Sequence, residues 1–254
     1  MKFMLNKNIV VYTCITGDYD NLLPPKQVEP QIRYVCFINQ PTLSVPGWEI
    51  RSIPREWGDS AQANRFAKMH PHLLFPEYEL SIYIDGSIEI IGGLHVLAQS
   101  ALKITDIAMY QHPFRDCVYE EAQVCANFGF DWYWRIESQM NGYRLNLFPK
   151  NAGLFECCVI IRRHSSFAIK TLMDAWWSAY QNGIKRDQLS LPYLAWKQNV
   201  AIQNLGNSDP RFSRVYFSLH SHRRPVPLSI RLRSYIHRNL FTLVNKWNSF
   251  TDYK

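Results

Sequence analysis

The 254-residue sequence predicts an α/β domain, a mainly parallel sheet covered by helices and followed by a basic helical tail. Three observations carry that reading: short β-rich runs alternate with helical stretches, apolar residues recur at helical spacing within those stretches, and charge is spread unevenly. Residues 211–254 hold nine basic side chains and one acidic, a net of +8, whereas the whole chain nets only +7. The body is therefore close to neutral and the excess sits at the C-terminus.

In chain order the elements are IVVYTCIT, RYVCFI and WEIRSI as strands, an amphipathic helix over 61–74, and LSIYID as a central apolar strand. GLFECCVIIRR reads as a further buried strand. Residues 167–180 form a helix with Ala168, Leu172, Ala175, Trp176 and Ala179 on one stripe. Strands separated by helices run parallel, and ligands of such sheets gather at the C-terminal strand ends. After Pro225 and Pro227, Leu232, Tyr235, Ile236, Leu240, Leu243, Val244 and Trp247 recur at helical spacing beside arginines. This divides the chain into a catalytic domain, 1–224, and a basic amphipathic helix, 225–254. That helix either packs on the domain through its apolar stripe or lies on an anionic membrane surface.

Composition narrows the function classes. With 47% hydrophobic residues the chain folds rather than remaining disordered. Six cysteines without a C-x-x-C pair are expected to be reduced and buried, not a zinc site or a disulfide framework. MKFMLNKNIVVYTC enters a strand without the apolar stretch and cleavage site of a secretory signal, so a cytoplasmic protein is expected, peripheral at most on the inner face of the membrane. Nucleic-acid binding is not expected, because the positive excess is confined to the tail and no binding module is recognisable.

Candidate chemistry falls in seven places. Thr16, Gly17, Asp18 and Tyr19 end the first strand, where a nucleotide base or ribose can sit, although Gly-Asp is equally an ordinary turn. Asn64, Arg65 and Lys68 share one helical turn and offer cations to phosphate. LSIYIDGSIEII is read as one strand that delivers Asp85, Ser87 and Glu89 at period two, hard oxygen ligands for Mg²⁺ or Mn²⁺ near a diphosphate. His112, Arg115 and Glu120 group titratable side chains suited to an acceptor. Glu156 begins an apolar strand, and Asp187 and Gln188 open a helical segment, which provides catalytic carboxylates and a sugar-binding amide. Near the tail, His220 and His222 stand beside Arg223 and Arg224, with His220 a candidate metal ligand.

Taken in order, VVYTCITGDYD, RYVCFINQ, the N-R-x-A-K-x-H-P-H stretch from Asn64, LSIYIDGSIEI, HPFRDCVYEEA, the strand near Glu156 and KRDQLSLPY resemble the glycosyltransferase-like family of plant mucilage-related and turgor-regulation-defect proteins and their bacterial surface-polysaccharide relatives. The likeness spans residues 9–200. It implies a glycosyltransferase A-type (Rossmann-like) fold, a nucleotide-sugar donor, a glycan or lipid-linked acceptor of capsule or lipopolysaccharide synthesis, and a metal-binding Asp-x-Asp. Donor binding then falls to Thr16, Gly17, Asp18, Tyr19, Asn64, Arg65, Lys68, Asp85, Gly86 and Ser87. Asp187 and Glu156 become catalytic, His112, Arg115, Glu120 and Gln188 hold the acceptor, and Asp85, Ser87 and His220 hold Mn²⁺ or Mg²⁺. Asp85-Gly86-Ser87 lacks the second carboxylate, so Glu89, a histidine, or the cations Arg65 and Lys68 must take its place. Competing readings are a metal-dependent hydrolase built on Asp85, His112 and His220 or His222, and a non-catalytic glycan-binding protein.

Overall fold

A computed structural model describes residues 8–17, 19–39, 44–222, 227–237 and 239. Nine strands alternate with seven helices among them. They run β1 (Ile9–Ile15), β2 (Ile32–Ile38), β3 (Glu49–Ser52), α1 (Ser60–Met69), α2 (Pro71–Leu74), β4 (Leu80–Ile84), β5 (Ile88–Ile90), α3 (His95–Ala101), β6 (Ile107–Gln111), α4 (Val118–Asn127), α5 (Tyr133–Leu145), β7 (Phe155–Arg162), α6 (Phe167–Asn182), α7 (Leu191–Lys197), β8 (Gln203–Asn204) and β9 (Phe217–Leu219).

Seven strands form one sheet in the order β3-β2-β1-β4-β7-β6-β8, parallel except for β7. This is the predicted mainly parallel, helix-flanked architecture. The chain winds outward from β1 through β2 to β3 and then returns to place β4 on the other side of β1. The crevice between β1 and β4 is thus the point where the strand order reverses.

Local chemistry explains the elements. β1 and β4 are buried along their whole length, as central strands covered on both faces must be, and so read as continuous apolar runs. One apolar layer packs the α3 side of the sheet, with Ile82, Ile84 and Leu94 in it. The other packs the α1 and α6 side, with Tyr12, Met69 and Trp176. α1 begins with a capping box: Asp59 accepts from the Ala61 and Gln62 amides at 2.9 Å, and the Gln62 side chain returns to the Asp59 amide at 3.3 Å. Its pattern does not run unbroken to residue 74, because Pro71 opens the separate turn α2.

Two packing expectations change. LSIYIDGSIEII is not one strand. β4 stops at Ile84, the chain turns with the Ile88 amide bonded to the Asp85 carbonyl at 2.9 Å, and β5 pairs with β9 in a second sheet. On α6 the buried stripe is Ile169, Leu172, Met173, Trp176 and Tyr180. It is rotated from the expected alanines because long side chains reach the sheet while Ala168, Ala175 and Ala179 stay at the flank.

All six cysteines are free, five of them buried. Among the described residues no helix is long and apolar enough to cross a membrane. Of the tail, residues 228–237 are helical, and Leu240, Leu243, Val244 and Trp247 lie outside the described residues. Within the described residues 228–237 this helix meets the domain through polar contacts. Ser234 and His237 are its buried side chains, bonded to the Asn127 and Ala126 carbonyls at 2.7 Å, and Leu232 and Tyr235 remain exposed.

Candidate active site

Three parallel strands and the start of the antiparallel one converge at the same end of the sheet. Gly17 follows β1, Asp85 follows β4, His112 follows β6, and Glu156 lies at the start of β7. The antiparallel direction of β7 explains why its beginning, rather than its end, reaches the site. The Asp85 amide donates to the Cys158 carbonyl at 2.8 Å, which fixes the β4 turn against β7. A cavity of about 240 Å³ opens there. It brings together Arg65, Lys68, Asp85, Ser87, His112, Glu156, Asp187 and Gln188 from the sequence-predicted set.

At its floor is a buried charge cluster. Lys68 is 1% exposed, and its Nζ lies 2.9 Å from Asp187 Oδ2 and 3.2 Å from Asp85 Oδ1. Arg65 Nε lies 3.0 Å from the same Asp187 oxygen. Tyr83 donates to Asp85 Oδ1 at 2.9 Å, and Trp176 Nε1 donates to the Asp187 carbonyl at 2.9 Å, so both aspartates are held from two directions. Burial alone would raise the Asp187 pKa, but Arg65, Lys68 and Arg186 outweigh it and hold the carboxyl well below the ordinary carboxylate range. Burial alone would likewise lower the Lys68 pKa, and Asp187 and Asp85 reverse that. Asp187 is thus an ionised carboxylate and Lys68 an ammonium in the same water-poor floor. Burial raises the Cys157 and Cys158 thiols, which removes both as nucleophiles.

Higher in the cavity, Arg186 and Arg211 supply two further cations that the sequence reading did not assign. Arg186 lies over the Phe130 ring at 4.6 Å and 4.0 Å from Glu121, and Arg211 pairs with Glu156. Arg186 is part of KRDQ and so carried a local signal. Arg211 had none, since only the fold returns the segment between β8 and β9 to the site.

Other expected residues have different places. Asn64 does not face the cavity; its Nδ2 donates to the Cys14 carbonyl at 2.6 Å and pins α1 to β1. The Gly17 amide bonds Asn39 Oδ1 at 2.7 Å, and Thr16 is half-buried at the strand end. Tyr19 stands at the rim with its ring 4.6 Å from that of His222. Asp18 lies outside the described residues. Gly86 is demanded by a close approach, because a Cβ there would come within 2.8 Å of Ile15 Cγ1 and 2.9 Å of Asp20 Oδ2. His220 is bonded to Glu89 at 2.9 Å, and it is His222 that lines the cavity, held by Asp20 at 2.7 Å. Glu89 is accordingly not a third ligand beside Asp85. Arg115 and Glu120 line a neighbouring groove that meets the cavity at His112.

The fit to a divalent cation is poor. Among the described residues no group of three His, Cys, Asp or Glu is placed to hold a metal. Ser87 stands where a second carboxylate is needed, and Asp85 Oδ1 already accepts from Tyr83 and Lys68. The described residues do not form a metal centre.

Residues 43–206 match the TOD1/MUCI70 glycosyltransferase-like domain. The probable hexosyltransferase MUCI70 of Arabidopsis thaliana is 22% identical over 217 residues, covering 72% of this chain and 36% of its own, so the chain spans about a third of that relative's length. Among solved structures, the bifunctional glycosyltransferase WbbM covers 94% of this chain and 45% of its own at 11% identity and a TM-score of 0.46. Mouse xyloside xylosyltransferase 1 covers 78% and 84% at 11% identity and a TM-score of 0.43. With a family match over 43–206 and a sheet whose strand order reverses beside the cavity, the chain belongs to the TOD1/MUCI70 glycosyltransferase-like family.

Proposed function

We propose that the protein transfers a sugar from a nucleotide diphosphate sugar to a glycan or lipid-linked acceptor, in the synthesis of a surface polysaccharide such as capsule or lipopolysaccharide. The observation that carries this reading is the convergence of Arg65, Lys68, Arg186 and Arg211 on one cavity at the switch point of the sheet. A donor diphosphate needs stabilisation as the bond from the anomeric carbon to its oxygen breaks, and preorganised cations in a water-poor site provide it. Arg186 and Arg211, the most exposed of the four cations, take the phosphates, Arg211 by sharing its charge between the donor and Glu156. Lys68 is spent on Asp187 and Asp85, and so it sets the charge of the floor rather than touching the donor. Asp187, kept ionised, faces the developing positive charge at the anomeric centre, and Gln188 beside it offers its amide to sugar hydroxyls. The acceptor hydroxyl forms the new bond and gives its proton to a pocket carboxylate, for which Glu156 is placed. No step requires Mn²⁺ or Mg²⁺. Thermal unfolding with a panel of nucleoside diphosphates and nucleotide sugars, with and without Mn²⁺, tests this. Stabilisation by a diphosphate in the absence of metal is expected, and no stabilisation by any of them would refute the reading.

The same reading places the protein in the cytoplasm, against the inner face of the membrane. Support comes from the 228–237 helix, whose exposed Leu232 and Tyr235 stand near exposed Phe128, with Arg231 on the same helix. Apolar and basic side chains together suit an anionic lipid surface. Sedimentation with anionic liposomes at low salt should be lost in Leu232→Glu/Tyr235→Glu, and equal sedimentation of both proteins would refute the membrane role.

A further inference from the structure

The groove beside the cavity encloses about 450 Å³ and differs from it in chemistry. The cavity gathers four cations, whereas the groove presents amides, carboxylates and two phenylalanine rings, Phe155 half-buried and Phe114 exposed, with Arg115 as its cation. His112 lines both, and Glu121 joins them by pairing Arg115 of the groove at 2.7 Å and Arg186 of the cavity at 4.0 Å. From residues present on its walls, we propose that the groove binds the acceptor as an uncharged saccharide, with Phe114 as the platform for a sugar ring. The proposal rests on the sugar-transfer reading and names its acceptor class.

Each wall is already ordered for a hydroxyl-rich, neutral ligand. His112 Nδ1 accepts from the Phe114 and Arg115 amides at 3.3 and 3.1 Å, a tight turn that thrusts Phe114 outward at 73% exposure. A large ring held in water at the lip of a polar groove offers apolar area to the face of a pyranose. Opposite, Asn204 Nδ2 donates to Gln111 Oε1 at 3.1 Å, Gln111 Nε2 donates to Asn207 Oδ1 at 2.9 Å, and Asn204 Oδ1 accepts from the Gly206 amide at 2.7 Å. This chain fixes both amide orientations, and each NH₂ retains a second hydrogen for a ligand oxygen. Asp116 and Glu120 are exposed and have no side-chain partner among the described residues, whereas Arg115 is occupied by Glu121. Two unpaired carboxylates accept hydroxyl hydrogens and repel anions. A uronate or a phosphorylated acceptor end is therefore disfavoured in the groove, although phosphate is favoured in the cavity next to it.

The test is calorimetric titration of the full chain with neutral hexose trisaccharides, each paired with the hexuronate trisaccharide of the same linkage. At least one neutral trisaccharide should bind about tenfold tighter than its uronate, from two like charges at exposed sites. Phe114→Ala should weaken it about fivefold, from loss of the covered ring. Glu120→Gln should narrow the neutral-to-uronate ratio about threefold. Equal or tighter binding of uronates, unaltered affinity in Phe114→Ala, or no binding by any trisaccharide overturns the proposal. Both substituted side chains are exposed, so folding is not at risk. Titration of the same wild-type protein with nucleoside diphosphates separates the two readings: saccharide binding without nucleotide binding sinks sugar transfer but leaves the groove assignment standing.

Discussion

Replacing Lys68 by Met removes the ammonium while keeping most of the buried volume, and it isolates the interaction that organises the floor of the site. Wild-type Lys68 neutralises Asp187 at 2.9 Å and Asp85 at 3.2 Å. Asp85 is half-exposed and can recover water, but Asp187 is 4% exposed and cannot. Removing one partner of a buried pair costs about 3–5 kcal/mol, and Arg65 at 3.0 Å keeps this case near the lower figure. At roughly 2–4 °C per kcal/mol for a chain of this size, Tm should fall by about 10 °C. The pH dependence supplies a second signature. In the wild type the folded Asp187 pKa is depressed, so its contribution is full above the unfolded carboxylate pKa and is lost only as pH falls below that value toward the folded one. In Lys68→Met the carboxyl is less well compensated and its pKa rises, so the deficit should be largest at neutral pH and shrink on acidification. Thermal unfolding between pH 2 and 8 reads both effects. The double variant Lys68→Met/Asp187→Asn should lose less than the sum of the single losses by at least about 1 kcal/mol. Wild-type Tm in Lys68→Met, or strict additivity in the double variant, would refute the argument.

Other expected outcomes follow from the same geometry. Asp85→Asn keeps shape and should lower turnover about a hundredfold with a Tm change of a few degrees, measured by donor consumption and calorimetry. Arg186→Ala and Arg211→Ala should each raise the donor KM about tenfold, because each removes a charge-assisted contact from the cavity. Gly86→Ala forces Ile15 and Asp20 apart from the turn and should cost about 1–3 kcal/mol in denaturant unfolding, with weaker nucleotide binding. Truncation before residue 228 removes the Ser234 and His237 bonds to α4 and should leave the domain folded with a small loss of Tm.

The centre of the sheet was readable because β1 and β4 are buried along their whole length and α1 and α6 are amphipathic, whereas the β6 and β8 edge carried no such signal. Asp85, Asp187, Arg65 and Lys68 were readable because each follows or borders such an element. What lay beyond local patterns was pairing. Lys68 reads as a cation offered to phosphate, and only tertiary burial opposite two aspartates 17 and 119 positions away makes it a core residue. The Asp85-to-Glu89 alternation fits a strand equally well, and the turn at Gly86, together with pairing of Glu89 to Ser218, 129 residues later, sends Glu89 elsewhere. Between His220 and His222, two residues apart on an irregular segment, sequence offered no means of choosing. Arg211 belongs to the same class, a residue delivered by a return of the chain.

β7 is hydrogen-bonded on both sides, to β4 and to β6. A slide by one residue would turn the Glu156 side chain to the other face of the sheet, and pairing with a neighbour on each side resists it. The length of the preceding segment, 146–154, is therefore decoupled from the position of Glu156. Related chains can lengthen or shorten that segment and remodel the α4–α5 layer, and so alter what approaches the site, while the carboxylate keeps its address on the sheet.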